Sequence, residues 1–260
     1  MSVSSPSIAE LRTATQPASI FARNSGEHWA GKLYMRRLSP YLTRLLIRTP
    51  LTPDAVTWMM ILVGLAAAAL LTLPGLLPAI GVAVLIQLQL LLDCSDGELA
   101  RWRRTSSTAG IFLDRLAHNV TEAALPIALA IRADGGWDSL GGWTTLGLLT
   151  AVLVLLLRVV SALVYVARAE AGLPVAEDTA AVAAPRRAGL ARVRRALSFA
   201  PFFRAFVAIE FSFLALAAAI WDELAGDLSG TRALVIALLP VAAVTLAGRL
   251  AAILTSQRLR

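Results

Sequence analysis

Residues 93–118 read DCSDGELARWRRTSSTAGIFLDRLAH, with three aspartates, four arginines and a histidine between two apolar stretches. Asp93, Asp96, Gly97, Ala100 and Arg101 follow one another at spacings of three, one, three and one, which places them along one stripe of a helix. After the cap-rich turn Thr105-Ser106-Ser107-Thr108, the residues Gly110, Asp114 and His118 recur every four positions. Two antiparallel helices would therefore aim polar stripes at each other. Carboxylates brought that close repel and resist ionisation unless a cation or a strong base neutralises them. All-oxygen donors suit a hard ion such as Mg²⁺ or Mn²⁺, and Mg²⁺ typically joins a few carboxylates to substrate phosphates. Gly97 and Gly110 leave the backbone open to a ligand, and the planar guanidinium of Arg101 suits a phosphate. Interhelical salt bridges with glycine packing contacts would explain each piece separately, but ion pairs require no fixed order of Gly and Ala between them.

The surroundings explain why such a set calls for a use. The chain has 260 residues, 57% hydrophobic and 16% charged, with a mean hydropathy of +0.70. That composition describes an all-α integral membrane protein, not a soluble domain, and the length suits one multi-helix membrane domain. Ionisable residues at bilayer depth are costly and are rarely kept there without a role. The single cysteine, Cys94, has no partner for an internal disulfide and belongs to no zinc-type cluster. The net charge of +7 comes without groove-reading or base-stacking motifs, so nucleic acid is excluded as a partner. Anionic membrane lipids and phosphate-bearing substrates fit the arginines better.

Three segments follow along the chain. Residues 1–26 have no apolar run and no cleavage pattern, and are expected to form a disordered cytosolic tail. Residues 27–49 place Trp29, Leu33, Leu38, Leu42, Leu45 and Leu46 at helical spacing among Lys32, Arg36, Arg37, Arg44 and Arg48, which predicts an amphipathic interfacial helix. Residues 50–260 form the membrane domain, opened by Thr52-Pro53-Asp54 as N-cap, first-turn proline and first-turn acid. Six transmembrane helices are expected, at about 54–73, 77–101, 108–132, 143–169, 202–222 and 231–254. Arginines gather on one side of this arrangement, including Arg186, Arg187, Arg192, Arg194 and Arg195 in the one sizeable loop. The positive-inside rule then makes both termini cytosolic and sets residues 93–118 at a cytosolic mouth. The Arg-over-Lys, Ala/Leu-rich composition suggests a bacterial cell membrane.

The order D-x-x-D-G-x-x-A-R, eight residues, then G-x-x-x-D-x-x-x-D resembles the signature of the CDP-alcohol phosphatidyltransferase (phosphotransferase) family. Asp93, Asp96, Gly97, Ala100, Arg101, Gly110 and Asp114 match it, and the last position departs from it as His118. The resemblance implies a six-helix homodimer that binds a CDP-linked donor such as CDP-diacylglycerol, transfers a phospho-alcohol (phosphatidyl) group to a hydroxyl acceptor in phospholipid biosynthesis, and releases CMP. It also implies two divalent ions, Mg²⁺ or Mn²⁺, held by Asp93, Asp96 and Asp114, with Gly97, Ala100, Arg101 and Gly110 lining the nucleotide site. His118 then stands where the family places a general base. An imidazole can still accept a proton, with a reference pKa of about 6.5 against about 3.9 for aspartate. It lacks the carboxylate's charge, which puts the second metal site in doubt. Three outcomes follow: a histidine base, catalysis with one tightly held metal, or an inactive relative that keeps nucleotide binding.

Arg158 is expected deep in the fourth span and needs a partner or a wet cavity. It either pairs with Glu122, with Glu210 as a second choice, or joins Arg204 in binding an anionic acceptor such as a sugar or polyol phosphate. A small transporter of anionic solutes is the rival from another class. Against it, the motif gathers at one mouth and the far loops hold no matching polar set.

Overall fold

The computed structural model describes residues 6–17, 29–174, 202–256 and 259. Among them every regular element is helical. The elements are α1 (Ile8–Thr15), a π-wound stretch Gly31–Met35 running into α2 (Arg36–Ile47), α3 (Pro53–Leu71), α4 (Leu76–Arg103), α5 (Thr108–Asp134), α6 (Gly142–Glu170), α7 (Ala208–Ala225) and α8 (Ser229–Thr255). Short 3₁₀ turns occupy Trp137–Ser139 and Phe202–Phe206. The arginines of the expected basic loop, from Arg186 to Arg195, lie outside the described residues.

Among the described residues, four helices can cross a membrane by length and composition: α3, α4, α6 and α8. The expected count was six. In α5 the apolar run is broken by Asp114, Arg115, His118, Glu122 and Arg132, while α7 has only 18 residues and carries Glu210, Asp222 and Glu223. The fifth expected span also begins later than 202. Phe202–Phe206 winds as a 3₁₀ turn, Val207 is extended, and α7 starts at Ala208.

The tail, expected to be disordered, contains α1. Ser7 and Glu10 form a capping box, with Ser7 N donating to Glu10 Oε2 at 2.7 Å and Glu10 N to Ser7 Oγ at 3.2 Å. The Ser7 backbone N–H holds the exposed Glu10 carboxyl below its usual range. Leu11 and Thr15 are fully buried, so α1 is docked through one face.

The chain divides into two compact units, residues 1–67 with 84–121 and residues 68–83 with 122–260. The first has a core of Leu46, Val56, Met60, Ile61, Leu92, Leu99 and Ala117. Between lipid-bathed helices apolar burial supplies little net drive, so close packing and polar ties carry more of the specificity. The main tie is Glu98, fully buried on α4. It accepts from Ser39 Oγ at 2.5 Å, Thr43 Oγ1 at 2.7 Å and Gln16 Nε2 at 2.8 Å, with Arg36 Nη1 at 3.6 Å. This turns the hydroxyl face of α2 inward and leaves Leu33, Leu38, Tyr41 and Leu45 exposed. Arg103 closes the following loop by donating to the carbonyls of Leu51, Thr49 and Leu46 at 2.5, 2.8 and 3.3 Å. These include carbonyls that the end of α2 leaves without helical partners. The predicted cap at Thr52 forms, with Ala55 N donating to Thr52 Oγ1 at 3.1 Å.

In the second unit the tie is Arg132, 1% exposed. It donates to the carbonyls of Leu73 and Gly75 at 3.0 and 2.9 Å and to Thr231 Oγ1 at 3.2 Å, and lies 3.5 Å from Asp222 Oδ2. Asp222 in turn accepts the Thr231 N–H and hydroxyl at 2.9 and 2.5 Å. Asp134 caps α6, accepting from Gly141 N and Thr144 N at 2.9 Å each and from Thr144 Oγ1 at 2.6 Å. Arg132, Asp134 and Asp222 are therefore structural fasteners of the far loops.

Candidate active site

The site begins with the turn between α4 and α5. Arg104 has φ of 56°, in the left-handed region, and ends α4. Thr105 N bonds back to the Ala100 carbonyl at 2.9 Å, a Schellman-type closure that reverses the chain within a few residues. Ser107 caps α5 by accepting Gly110 N at 2.9 Å. The two helices then run back along each other: His118 faces Asp93, and one turn deeper Gln89 Nε2 donates to Thr121 Oγ1 at 2.7 Å. Gly64 of α3 permits this approach, since a Cβ there would lie 2.1 Å from Thr121 Oγ1 and 2.5 Å from Gln89 Nε2.

Asp93, Asp114 and His118 converge as the spacing predicts. His118 Nε2 lies 3.2 Å from Asp93 Oδ1 and 3.6 Å from Asp114 Oδ1. One donor atom from each of the three falls within 4.8 Å of the others. Neighbouring ligands around an ion bonded at about 2.1 Å are about 3 Å apart in an octahedron. Two carboxylates and an imidazole so placed fit a divalent ion, and the side chains are 24%, 44% and 42% exposed for Asp93, Asp114 and His118, leaving the site accessible. The cluster differs from an all-carboxylate site in its nitrogen donor.

Asp96, expected in the same set, is not one of the three donors that converge. Its side chain is almost fully buried and Oδ2 accepts from Thr57 Oγ1 at 2.6 Å. Thr57 is a residue that sequence reasoning passed over. The only signal for it was its position one turn after Pro53 in the L-T-P-D-A-V-T entry to α3.

Gly97 and Arg101 work as a pair. They are one helical turn apart, and a Cβ on Gly97 would lie 3.2 Å from Arg101 Nη1 and 3.4 Å from Nη2. The missing side chain is the seat of the guanidinium, while Arg101 Nε donates to the Thr15 carbonyl at 2.5 Å. Ala100 contributes its carbonyl to the turn closure. Gly110 lies beside Asp54, whose Oδ1 would be 3.2 Å from an added Cβ. Asp54 thus brings another carboxylate near the α5 entry, a proximity that sequence spacing does not reveal.

Arg158 pairs with Glu122, the blander of its two expected roles. Arg158 Nε donates to Glu122 Oε2 at 2.7 Å and Nη2 reaches the same oxygen. Glu122 is 3% exposed and Arg158 39%. Arg204 is exposed in the 3₁₀ turn before α7.

Comparison with known proteins agrees with the motif. The pattern for CDP-alcohol phosphatidyltransferase matches residues 50–255. A 102-residue stretch is 31% identical to the bifunctional IPC transferase and DIPP synthase of Aquifex aeolicus (strain VF5), covering 39% of this chain. That match spans 22% of the relative's length. Four helices able to cross a membrane, a carboxylate–imidazole cluster on two antiparallel helices and a family match over most of the chain lead to one assignment: this protein belongs to the CDP-alcohol phosphatidyltransferase family.

Proposed function

We propose that this protein transfers a phosphatidyl group from CDP-diacylglycerol to a hydroxyl acceptor, releasing CMP. The observation that carries the reading is the convergence of Asp93, Asp114 and His118 beside the Gly97–Arg101 pair. The acceptor oxygen attacks the β-phosphorus, the bond from that phosphorus to the bridging oxygen breaks, and the electron pair leaves with CMP. Divalent ions, Mg²⁺ or Mn²⁺, would supply charge neutralisation for the diphosphate and for the oxygens of the in-line displacement.

The chain's own groups have separate tasks in this scheme. Asp93, Asp96 and Asp114 provide the carboxylates for metal. Gly97, Ala100, Arg101 and Gly110 line the nucleotide site, with the Arg101 fork toward phosphate. His118 takes the acceptor's proton. Arg158 and Arg204 attract an anionic acceptor, a sugar or polyol phosphate, with Glu122 holding Arg158 when no acceptor is bound. The site opens to the cytosol of a bacterial cell, α5 and α7 bring the number of spans to six, the helical segment 31–47 lies in the interface with Leu33, Leu38, Tyr41 and Leu45 toward lipid, and the protein works as a homodimer.

The test is CMP release by purified protein in detergent with CDP-diacylglycerol, Mg²⁺ or Mn²⁺ and a panel of acceptors. Acceptor-dependent release that Asp114→Asn abolishes supports the transferase. The nitrogen donor in the cluster favours a second reading, an idle scaffold that still binds nucleotide. Activity that emerges only in His118→Asp would select it.

A further inference from the structure

Helix α1 is held by more than its own cap. Leu11 and Thr15 are buried, Arg12 Nη2 donates to the Arg37 carbonyl at 3.1 Å, and Gln16 Nε2 donates to the Arg36 carbonyl at 2.9 Å and to Glu98 Oε1 at 2.8 Å. Ala9, Glu10, Thr13 and Ala14 of this helix share an open groove with Trp102, the neighbour of Arg101. The last residue of α1 makes the contact that matters: its carbonyl accepts from Arg101 Nε.

We propose that α1 is a working part of the donor site, and that the Thr15 carbonyl positions Arg101 for the donor's diphosphate. The proposal rests on the reading of Arg101 as a phosphate-binding residue. A guanidinium has five N–H donors in a rigid fork. With Nε committed to Thr15, the plane of the fork is set. Nη1 and Nη2 lie over Gly97, where no side chain displaces them. The two terminal nitrogens are thereby turned to one bidentate partner, and the ordering of a long side chain is complete before the donor arrives. Without α1 the same ordering falls on the binding step. The sequence contains this device in S-x-x-E at Ser7 to Glu10, which starts the helix, and in Gln16, which fastens its end to Glu98.

The test uses the full chain in detergent with Leu11→Asp, which puts a charge into the buried face of α1, and Gln16→Ala, which removes two of its ties. Glu98 keeps Ser39 and Thr43 in both variants, so the membrane domain should melt close to the native temperature. The expected result is a rise of about three- to tenfold in the CDP dissociation constant and in donor KM, with kcat within about twofold. The acceptor KM stays unchanged. In an Arg101→Ala background the same substitutions should add nothing, because the group they position is gone. Unchanged CDP affinity, full additivity with Arg101→Ala, or tighter CDP binding, which would make α1 a cover over the site, each overturns the proposal. If the native protein binds CDP but releases no CMP, the transferase reading fails by itself and the CDP affinities still decide the role of α1. If the native protein binds no CDP, both readings fall.

Discussion

Replacing Arg158 with alanine strands a buried carboxylate. Glu122 is 3% exposed and receives two donors from Arg158, through Nε and Nη2, on one oxygen. Removing one member of a buried pair costs about 3–5 kcal/mol, because the survivor keeps its desolvation without its partner. Arg158 is 39% exposed, so water can reach part of the vacated space, and the lower figure of about 3 kcal/mol applies. For a chain of this size that corresponds to a fall of about 6–12 °C in melting temperature. The companion variant Glu122→Leu/Arg158→Leu removes both charges and should melt within about 1 kcal/mol of native, since apolar replacement of a whole pair is close to neutral. Intrinsic tryptophan fluorescence during heating in detergent reads both. An Arg158→Ala protein that melts with the native one would refute the buried-pair argument. The double variant also separates stability from acceptor recognition: a folded protein with unchanged acceptor KM would remove Arg158 from the acceptor site, while a rise in that KM alone would keep it there.

Three further perturbations address the site. Thr57→Val keeps shape but removes the donor 2.6 Å from Asp96, and loss of such an outer partner should weaken Mn²⁺ binding by about 10–100-fold, read by electron paramagnetic resonance; native-like affinity would mean that Asp96 needs no positioning. His118→Asp restores an all-carboxylate set and adds a negative charge beside Asp93 and Asp114, so Mg²⁺ should bind more tightly to the variant than to the native protein; unaltered Mg²⁺ affinity would place position 118 out of reach of the ions. Gly97→Ala brings a Cβ to 3.2 Å from Arg101 Nη1 and should raise donor KM severalfold with little change in melting temperature, whereas an unchanged KM would show that the guanidinium need not rest there.

Much of this architecture is legible from helical pitch. The spacing of Asp93, Asp96, Gly97, Ala100 and Arg101 predicts one stripe on α4, and Gly110, Asp114 and His118 predict the facing stripe on α5. The T-S-S-T turn predicts the reversal, and Ser107 caps α5 accordingly. Thr52 at the start of α3 is legible for the same reason: a cap is a local device, written within four residues. The tail is the counterexample. Low hydropathy made residues 1–26 look structureless, yet Ser7 and Glu10 carry the capping-box pattern that starts α1. An average over a window hides a signal that sits at two positions.

Pitch describes a stripe on one helix and is silent on the rotation of its neighbours, which is why the remaining site residues escaped. Thr57 reads as one more β-branched residue in an apolar helix until α3 is seen to turn it toward Asp96. Glu98 sits among the motif residues and would be taken for another metal ligand by composition alone. The geometry gives it to Ser39, Thr43 and Gln16. That division has a physical logic. On α4, Asp93 and Glu98 are separated by about 140° around the helix axis, so one carboxylate faces α5 and the other faces α1 and α2. A single helix thus holds its chemistry on one side and its anchor on the other. Arg101 links the two faces, resting against Gly97 on the motif side while its Nε reaches α1. The segment that hydropathy dismisses is therefore tied directly to a motif residue, and a change in its docking is expected to reach the site through one guanidinium.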